Sequence, residues 1–389
     1  MIKSFKISNY KSIADLELEL GRINVIIGEN GAGKSNILEA ITLCSAAFDR
    51  KLDTTYLDSR GIRVSTNPQF MRSAFLNDNV VKNIELTASD ESSSFTTSLK
   101  HDNDEYSEWK DVILEENQQE FDEIFRVLEK RIEYLTSKID GKAPDKLEDD
   151  SEFSADQVRI VTEKMISRYK TEGLKNFTIY SPEESSIRIF DQTSQGQPLG
   201  KNGSGLLRLI ANIYNEGGEI EINELKTYLK LVSWFEDFKF SDTPFEKDAF
   251  LNIRDKYIDQ ELEYLDQRSS NEGFLYLLFY LTLFISDKTP KFFAIDNIDN
   301  ALNPKLCIQL MKVLTELAKK HDKQVIFTTH NPAILDGLDL TDPEQKLLVV
   351  SRKRNGETKV TTVDEKPKSG MKLSESFMSG MLGGLPKNF

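Results

Sequence analysis

The chain has 389 residues, 39% of them hydrophobic, which is enough for one large domain or two ordinary ones with a sizeable core. A formal charge of −14 excludes a surface that grips nucleic acid everywhere, though not a local basic groove. Two cysteines, Cys44 and Cys307, lie in apolar helical contexts, which argues against a disulfide framework and for buried reduced thiols.

The opening, residues 2–27, reads as strands. "FKISNYKSIADLELEL" alternates polar and apolar residues and has no signal-peptide core, and "INVIIG" is a buried strand ending at Gly28. A helix is expected over 35–48, then strand and loop to about 110, with "VKNIELTAS" and "SSFTTSLKH" as a meander. Phe121, Ile124, Phe125, Leu128, Ile132, Leu135 and Ile139 then recur at helical spacing within 116–139. After the acidic stretch "DGKAPDKLEDDSEF", a second helix over 155–170 completes a short helical hairpin, whose charge a solvated helical face explains. Residues 177–265 alternate short strands and helices around a polar Gly-rich loop, "QPLGKNGSGL" (197–206). From 273 the order is helix, strand (291–296), helix (304–320) and strand (324–329), then a hairpin turning at Asn355-Gly356. The apolar run 273–285 is too short to span a bilayer and reads as a buried helix, so a cytoplasmic protein without a membrane partner is expected.

"GENGAGKS" fits G-x-x-x-x-G-K-[ST] completely, between a buried strand and a helix. Gly28, Glu29, Asn30, Gly31, Ala32 and Gly33 would turn backbone N–H groups onto the phosphates of ATP, at the positive end of a helix that Asn36 continues. Lys34 would reach the β- and γ-phosphates, and Ser35 would hold Mg2+. The bland alternative is a Gly-rich turn that binds nothing. Asp296 ends the strand "KFFAID" and is the candidate metal carboxylate. His330, in "TTHNP", ends the next strand. Neighbouring parallel strands deliver their C-terminal ends to one crevice, which makes His330 a candidate γ-phosphate sensor.

These residues resemble the SMC/RecF-like branch of ABC-type ATPases, and more narrowly the stand-alone ATPases of bacterial anti-phage systems, among them the OLD-type and Septu-type. The likeness rests on roughly 1–48 and 265–345: "FKISNYKSI", "GENGAGKSNILEAI", "DNIDNALNP" and "TTHNPAIL". It implies an α/β fold, an ABC-ATPase head (P-loop NTPase). An N-terminal antiparallel β subdomain, a central mostly parallel sheet flanked by helices, and the helical hairpin insertion would make it up. The implied division is an N-terminal lobe (1–110), a helical insertion (111–175), an α/β or helical accessory region (176–265) and a C-terminal lobe (266–389).

The resemblance further implies a homodimer or higher homo-oligomer, with each ATP between the phosphate loop of one copy and a signature loop of the other. "SSNEGFLYLL" (269–278) is the signature candidate, with Asn271 and Gly273 at the ATP; an ordinary helix N-cap is the other reading, and both can hold. Gln69 is the candidate for a metal-contacting glutamine, and Lys11 stands where the family often has an arginine. Asn297 takes the place of the family's water-activating glutamate, and an amide cannot act as a general base. Either hydrolysis is slow and the ATP-bound dimer long-lived, or Asp299 reaches the water. No nuclease constellation or zinc spacing is seen, and the stretch after His330 is too short for an OLD-type nuclease domain. The expected role is therefore an ATP-dependent switch for a separate effector, a nuclease or toxin. The alternatives are a RecF-type repair ATPase that binds DNA, and a transporter's ATPase subunit, against which the opening strand and the large insertion speak.

Overall fold

A computed structural model of the chain describes residues 1–73, 82–104, 107–119, 171–190, 198–240, 251–259, 264–363 and 370–385, with the single positions 122, 126, 159 and 261. β1 (Ser4–Tyr10) and β2 (Ile13–Glu19) form an antiparallel hairpin whose alternation buries Phe5, Ile7 and Leu18 on one face. β3 (Ile23–Gly28) is buried at every position, as a strand covered on both faces must be. It runs through the phosphate loop into helix α1 (Lys34–Phe48).

β4 (Ile84–Ser89), β5 (Ser94–Lys100) and β6 (Lys110–Asp111) extend the first hairpin into an antiparallel sheet of order β2-β1-β4-β5-β6. β7 (Ile179–Tyr180) precedes a small antiparallel sheet made of β8 (Phe235–Phe240), β9 (Leu251–Asp255) and β10 (Leu265–Asp266). β11 (Phe292–Ile295), β12 (Gln324–Thr328), β13 (Gln345–Arg352) and β14 (Thr358–Val363) complete the chain's strands among the described residues. The central sheet has the order β14-β13-β3-β12-β11-β7 and is parallel except for the edge strand β14.

Two hydrophobic cores cover the two faces of this sheet. One packs α1 and the antiparallel sheet against Ile26, Phe292, Ala294, Ile326 and Leu348. The other holds the helix Glu272–Ile285, in which every residue from Gly273 onward is buried. Such a helix has no polar face to show, which is why its sequence reads as apolar all round. Phe279 meets Tyr180 and Phe284 meets Phe293 edge-on, fixing the helix against β7 and β11. The helix Pro304–Lys320 lies on the same side. It buries Cys307, Leu310, Met311, Leu314 and Leu317, and Asn303 caps its start by accepting from Leu306 N.

The α/β P-loop fold, the antiparallel N-terminal sheet and the mostly parallel central sheet agree with the sequence expectation. Most of the expected helical hairpin, 116–139 and 155–170, lies outside the described residues; 112–119 is helical. Within 176–265, β7 joins the central sheet and the helix Leu206–Asn215 shares the core with the helix Glu272–Ile285. Both cysteines are buried thiols outside any disulfide. Among the described residues no helix is long and apolar enough to cross a membrane.

Candidate functional site

The phosphate loop leaves β3 at Gly28 and turns through Gly31 (φ +74) and Gly33 (φ +115). An alanine Cβ at Gly28 would lie 2.2 Å from Val350 O on the neighbouring strand, so glycine is required there by packing as well as by φ. Lys34 Nζ donates to Gly28 O at 2.7 Å and to Glu29 O at 3.1 Å. Burial pushes the Lys34 ammonium below its usual range, against the pull of Asp296 and Glu29. A polar chain backs the loop. Asn36 Nδ2 donates to Ser12 Oγ at 2.6 Å, the Ser12 and Thr358 hydroxyls are 2.7 Å apart, and Thr358 donates to Ala32 O at 3.0 Å.

Asn30, Gly31, Gly33, Lys34, Ser35 and Asn36 line a cleft of about 400 Å3, and Asp296, Asn297 and His330 line it from across the loop. Gly28, Glu29 and Ala32 frame the turn from behind, with Ala32 N donating to Glu29 O at 3.2 Å. Asp296 follows β11, and Thr328 on β12 donates its hydroxyl to the carboxylate. Asn297 is left-handed, φ +56, a conformation that asparagine tolerates; its N–H donates to Thr328 Oγ1 at 2.9 Å. Burial, followed by the Lys34 charge, pushes the His330 imidazole below its usual range despite Asp299 and Asp296. The ring is therefore neutral near pH 7, with one N–H to donate.

The donors suit magnesium that arrives with a nucleotide. Magnesium prefers hard oxygens and keeps water or phosphate in most of its shell. Ser35 and Asp296 supply two such oxygens on the cleft wall, while among the described residues no group of three or more His, Cys, Asp or Glu could hold a metal alone.

Two expected site residues, Gln69 and Asp299, do not line the cleft, and the Asn271–Gly273 turn, expected to face another copy, lies off it as well. Gln69 is exposed on the 3-10 turn Pro68–Met71 and is not brought to the cleft. The expectation took Gln69 because it lies in the segment after α1, but nearness in the chain does not carry that turn to the cleft. Asp299 does not line the cleft; it accepts from Thr329 Oγ1 at 2.6 Å. Asn271 caps the helix Glu272–Ile285 by accepting from Gly273 N at 2.9 Å, away from the same chain's phosphate loop. Gly273 is buried, and a Cβ there would approach Ala301 O to 3.1 Å, in the turn that follows Asp299.

Two cleft arginines were missed. Arg63 Nε donates to Glu39 Oε1 at 2.6 Å; Glu39, almost fully buried on α1, also binds Lys11 and accepts from Tyr10 OH. A lone carboxylate on an apolar helix was the available signal, since a buried charge demands cationic partners. Arg352 Nε donates to Gly31 O at 2.8 Å. Its approach follows from Val350 lying opposite Gly28 in the sheet, which the sequence does not print.

The model of one protein family, described as "AAA domain, putative AbiEii toxin, Type IV TA system", matches residues 23–336. Among curated proteins, the chain is 44% identical over 43 residues to an OLD nuclease of Thermus scotoductus, covering 11% of this chain and 8% of that protein. It is 38% identical over 52 residues to the DNA replication and repair protein RecF of Lachnoclostridium phytofermentans, covering 13% of this chain and 14% of that one. The match thus spans less than a quarter of either relative's length. Among solved structures, an SMC head bound to the C-winged helix domain of ScpA superposes with a TM-score of 0.54 at 16% identity, over 93% of this chain and 98% of that chain. At that identity the likeness is one of fold.

Proposed function

The chain belongs to the AAA-domain family whose model it matches, as an ATP-binding SMC/RecF-like ATPase, and from that premise we propose that it is an ATP-dependent switch for a separate effector protein. Two copies close around ATP, with the Asn271–Gly273 turn of one copy facing the phosphate loop of the other. Lys34 holds the β- and γ-phosphates, Ser35 and Asp296 hold magnesium, and His330 donates to the γ-phosphate. The bound ion would supply charge neutralisation at the phosphates. Closure is passed to the 176–265 region, which grips or releases a nuclease or toxin. An anti-phage setting follows from the likeness to OLD-type and Septu-type ATPases alone.

The observation that carries this reading is the meeting of Lys34, Ser35, Asp296 and His330 in one cleft with an amide, Asn297, directly after the metal carboxylate. Phosphoryl transfer depends mostly on positioning and charge, so an amide there slows turnover without abolishing it. A long-lived ATP state is what a switch requires.

Light scattering with and without ATP and magnesium, beside single-turnover hydrolysis, tests the proposal. We expect ATP-dependent dimers, slow hydrolysis, and loss of both in Lys34→Ala. Monomers at saturating ATP would refute the switch. Salt-sensitive DNA binding that requires ATP would replace it with a RecF-type clamp.

A further inference from the structure

β7 runs parallel to β11 at the edge of the central sheet, with Tyr180 opposite Ile295 and Asp296 N donating to Tyr180 O at 2.8 Å. The chain leaving β7, Ser181–Pro182–Glu183, therefore emerges at the same sheet end as Asp296. The Gly-rich loop that the sequence singles out holds it there. Ser181 N donates to Lys201 O at 2.8 Å and Glu183 N to Asn202 O at 3.0 Å. The loop is fixed in turn: Lys201 Nζ bonds Asp58 Oδ1 at 3.0 Å, and Asn202 Nδ2 donates to Ser186 Oγ at 2.8 Å. At Gly203, φ +87, a Cβ would lie 2.3 Å from Ile187 Cγ2, so this close approach requires glycine.

Glu183 lines a cavity of about 240 Å3 that also includes Ser35, Arg63 and Asp296, all three of which line the phosphate cleft too. The two spaces thus meet at the residues expected to hold the metal. Glu39 lines the second cavity as well, but its carboxylate is taken up by Lys11, Arg63 and Tyr10. Glu183 is exposed, and its carboxylate makes no cap bond to the short helix it precedes. Asn297 has no basic oxygen to offer, and Asp299 is engaged by Thr329 outside the cleft.

We propose that Glu183 is the catalytic base of this chain. The inference rests on the ATPase reading. The Glu183 carboxylate takes a proton from the water whose oxygen attacks the γ-phosphorus. The bond from that phosphorus to the β–γ bridging oxygen breaks, ADP leaves with the electron pair, and the proton passes from Glu183 to the released phosphate. The slow turnover expected from Asn297 then runs through a base delivered by β7 instead of β11.

Glu183→Gln, Glu183→Asp and Asp299→Asn in the full chain test this by single-turnover hydrolysis, beside binding of a fluorescent ATP analogue with magnesium. Glu183→Gln should lower the hydrolysis rate at least about tenfold. It should keep analogue binding and lengthen the ATP-bound state. Glu183→Asp should recover part of the rate. A Glu183→Gln rate within about twofold of wild type overturns the proposal, as does an equal fall in analogue binding or a larger loss in Asp299→Asn. Failure of the broader reading is distinct: the wild-type chain itself would not bind the analogue.

Discussion

Replacing Gly33 by alanine separates the backbone's share of the phosphate loop's shape from that of the side chains around it. Gly33 sits at φ +115, and an added Cβ would lie 2.1 Å from Thr358 Oγ1 and 3.0 Å from both Thr358 Cγ2 and Ser12 Oγ. The left-handed backbone alone costs an alanine about 1–3 kcal/mol. To clear the Cβ, Thr358 must rotate. That breaks its bond to Ala32 O, 3.0 Å, and its contact with Ser12 Oγ, 2.7 Å. At about 1 kcal/mol for each hydrogen bond, the clash adds about 2 kcal/mol, for a total of about 3–5 kcal/mol. Thr358→Ala gives up the same two bonds and should cost about 2 kcal/mol by itself. In that background Gly33→Ala pays only the backbone strain. The double variant should therefore be more stable than the sum of the singles by about 2 kcal/mol. Urea unfolding of the four proteins measures this cycle, and the fluorescent ATP analogue reports whether the loop still binds. A Gly33→Ala cost below about 1 kcal/mol, or additivity within about 0.5 kcal/mol, would refute the reasoning.

Asn297→Glu should raise the single-turnover hydrolysis rate at least about tenfold. It should also lower stability by about 1 kcal/mol, because glutamate fits the left-handed backbone at φ +56 less well than asparagine; an unchanged rate would remove position 297 from the chemistry. Lys323 is fully buried, and its Nζ donates to Ser286 O and Thr289 Oγ1 at 2.8 Å and to Thr289 O at 3.1 Å, beyond the end of the helix Glu272–Ile285. Lys323→Met removes these donations, leaving Thr289 O without the Lys323 bond while Ser286 O keeps its bond from the Thr289 hydroxyl, and should cost about 1–3 kcal/mol in urea unfolding; a loss below about 0.5 kcal/mol contradicts this. His330 is held below its usual range by burial and by Lys34, so the unfolded chain takes up this proton more readily than the folded one as pH falls through the ordinary histidine range. Wild-type stability should therefore fall relative to His330→Gln as pH drops from about 8 to about 5.5, and a relative gain toward acid would reverse the assignment.

The parts of the site that sequence reading captured are those fixed by a single stretch of chain. "GENGAGKS" carries its own geometry, since the glycines, the lysine and the helix start are consecutive. Asp296 and His330 stand at or just beyond the ends of short apolar runs that read as buried strands, and adjacent parallel strands then suffice to bring them together. What escaped depends on pairing. β7 is two residues long, too short for any periodicity, yet it sets which segment borders Asp296. Arg352 reaches Gly31 only because β13 pairs with β3 across more than three hundred residues of chain. Gln69 was chosen for its nearness to α1 in sequence, while the segment next to Asp296 in space begins at Ser181.

The same parallel sheet bears on the absent glutamate. β3, β11, β12, β13 and β7 all direct their C-terminal ends toward one edge: β3 ends at the phosphate loop, and the others lead to Asp296, His330, Arg352 and Glu183. A proton acceptor beside the γ-phosphate is a requirement of position, not of sequence order. An amide after Asp296 removes an acceptor from one strand end only. The strand on the opposite flank of Asp296 still carries a carboxylate, at a segment tied by backbone hydrogen bonds to a loop whose own side chains are anchored. Loosening that anchor is therefore a perturbation of chemistry at a distance. Asn202 lines the Glu183 cavity but not the phosphate cleft. Asn202→Ala, which removes the side-chain bonds to Ser186 Oγ and from Ser204 N, should slow hydrolysis through Glu183 while leaving analogue binding in place; equal rates in Asn202→Ala and wild type would show that the loop does not position the carboxylate.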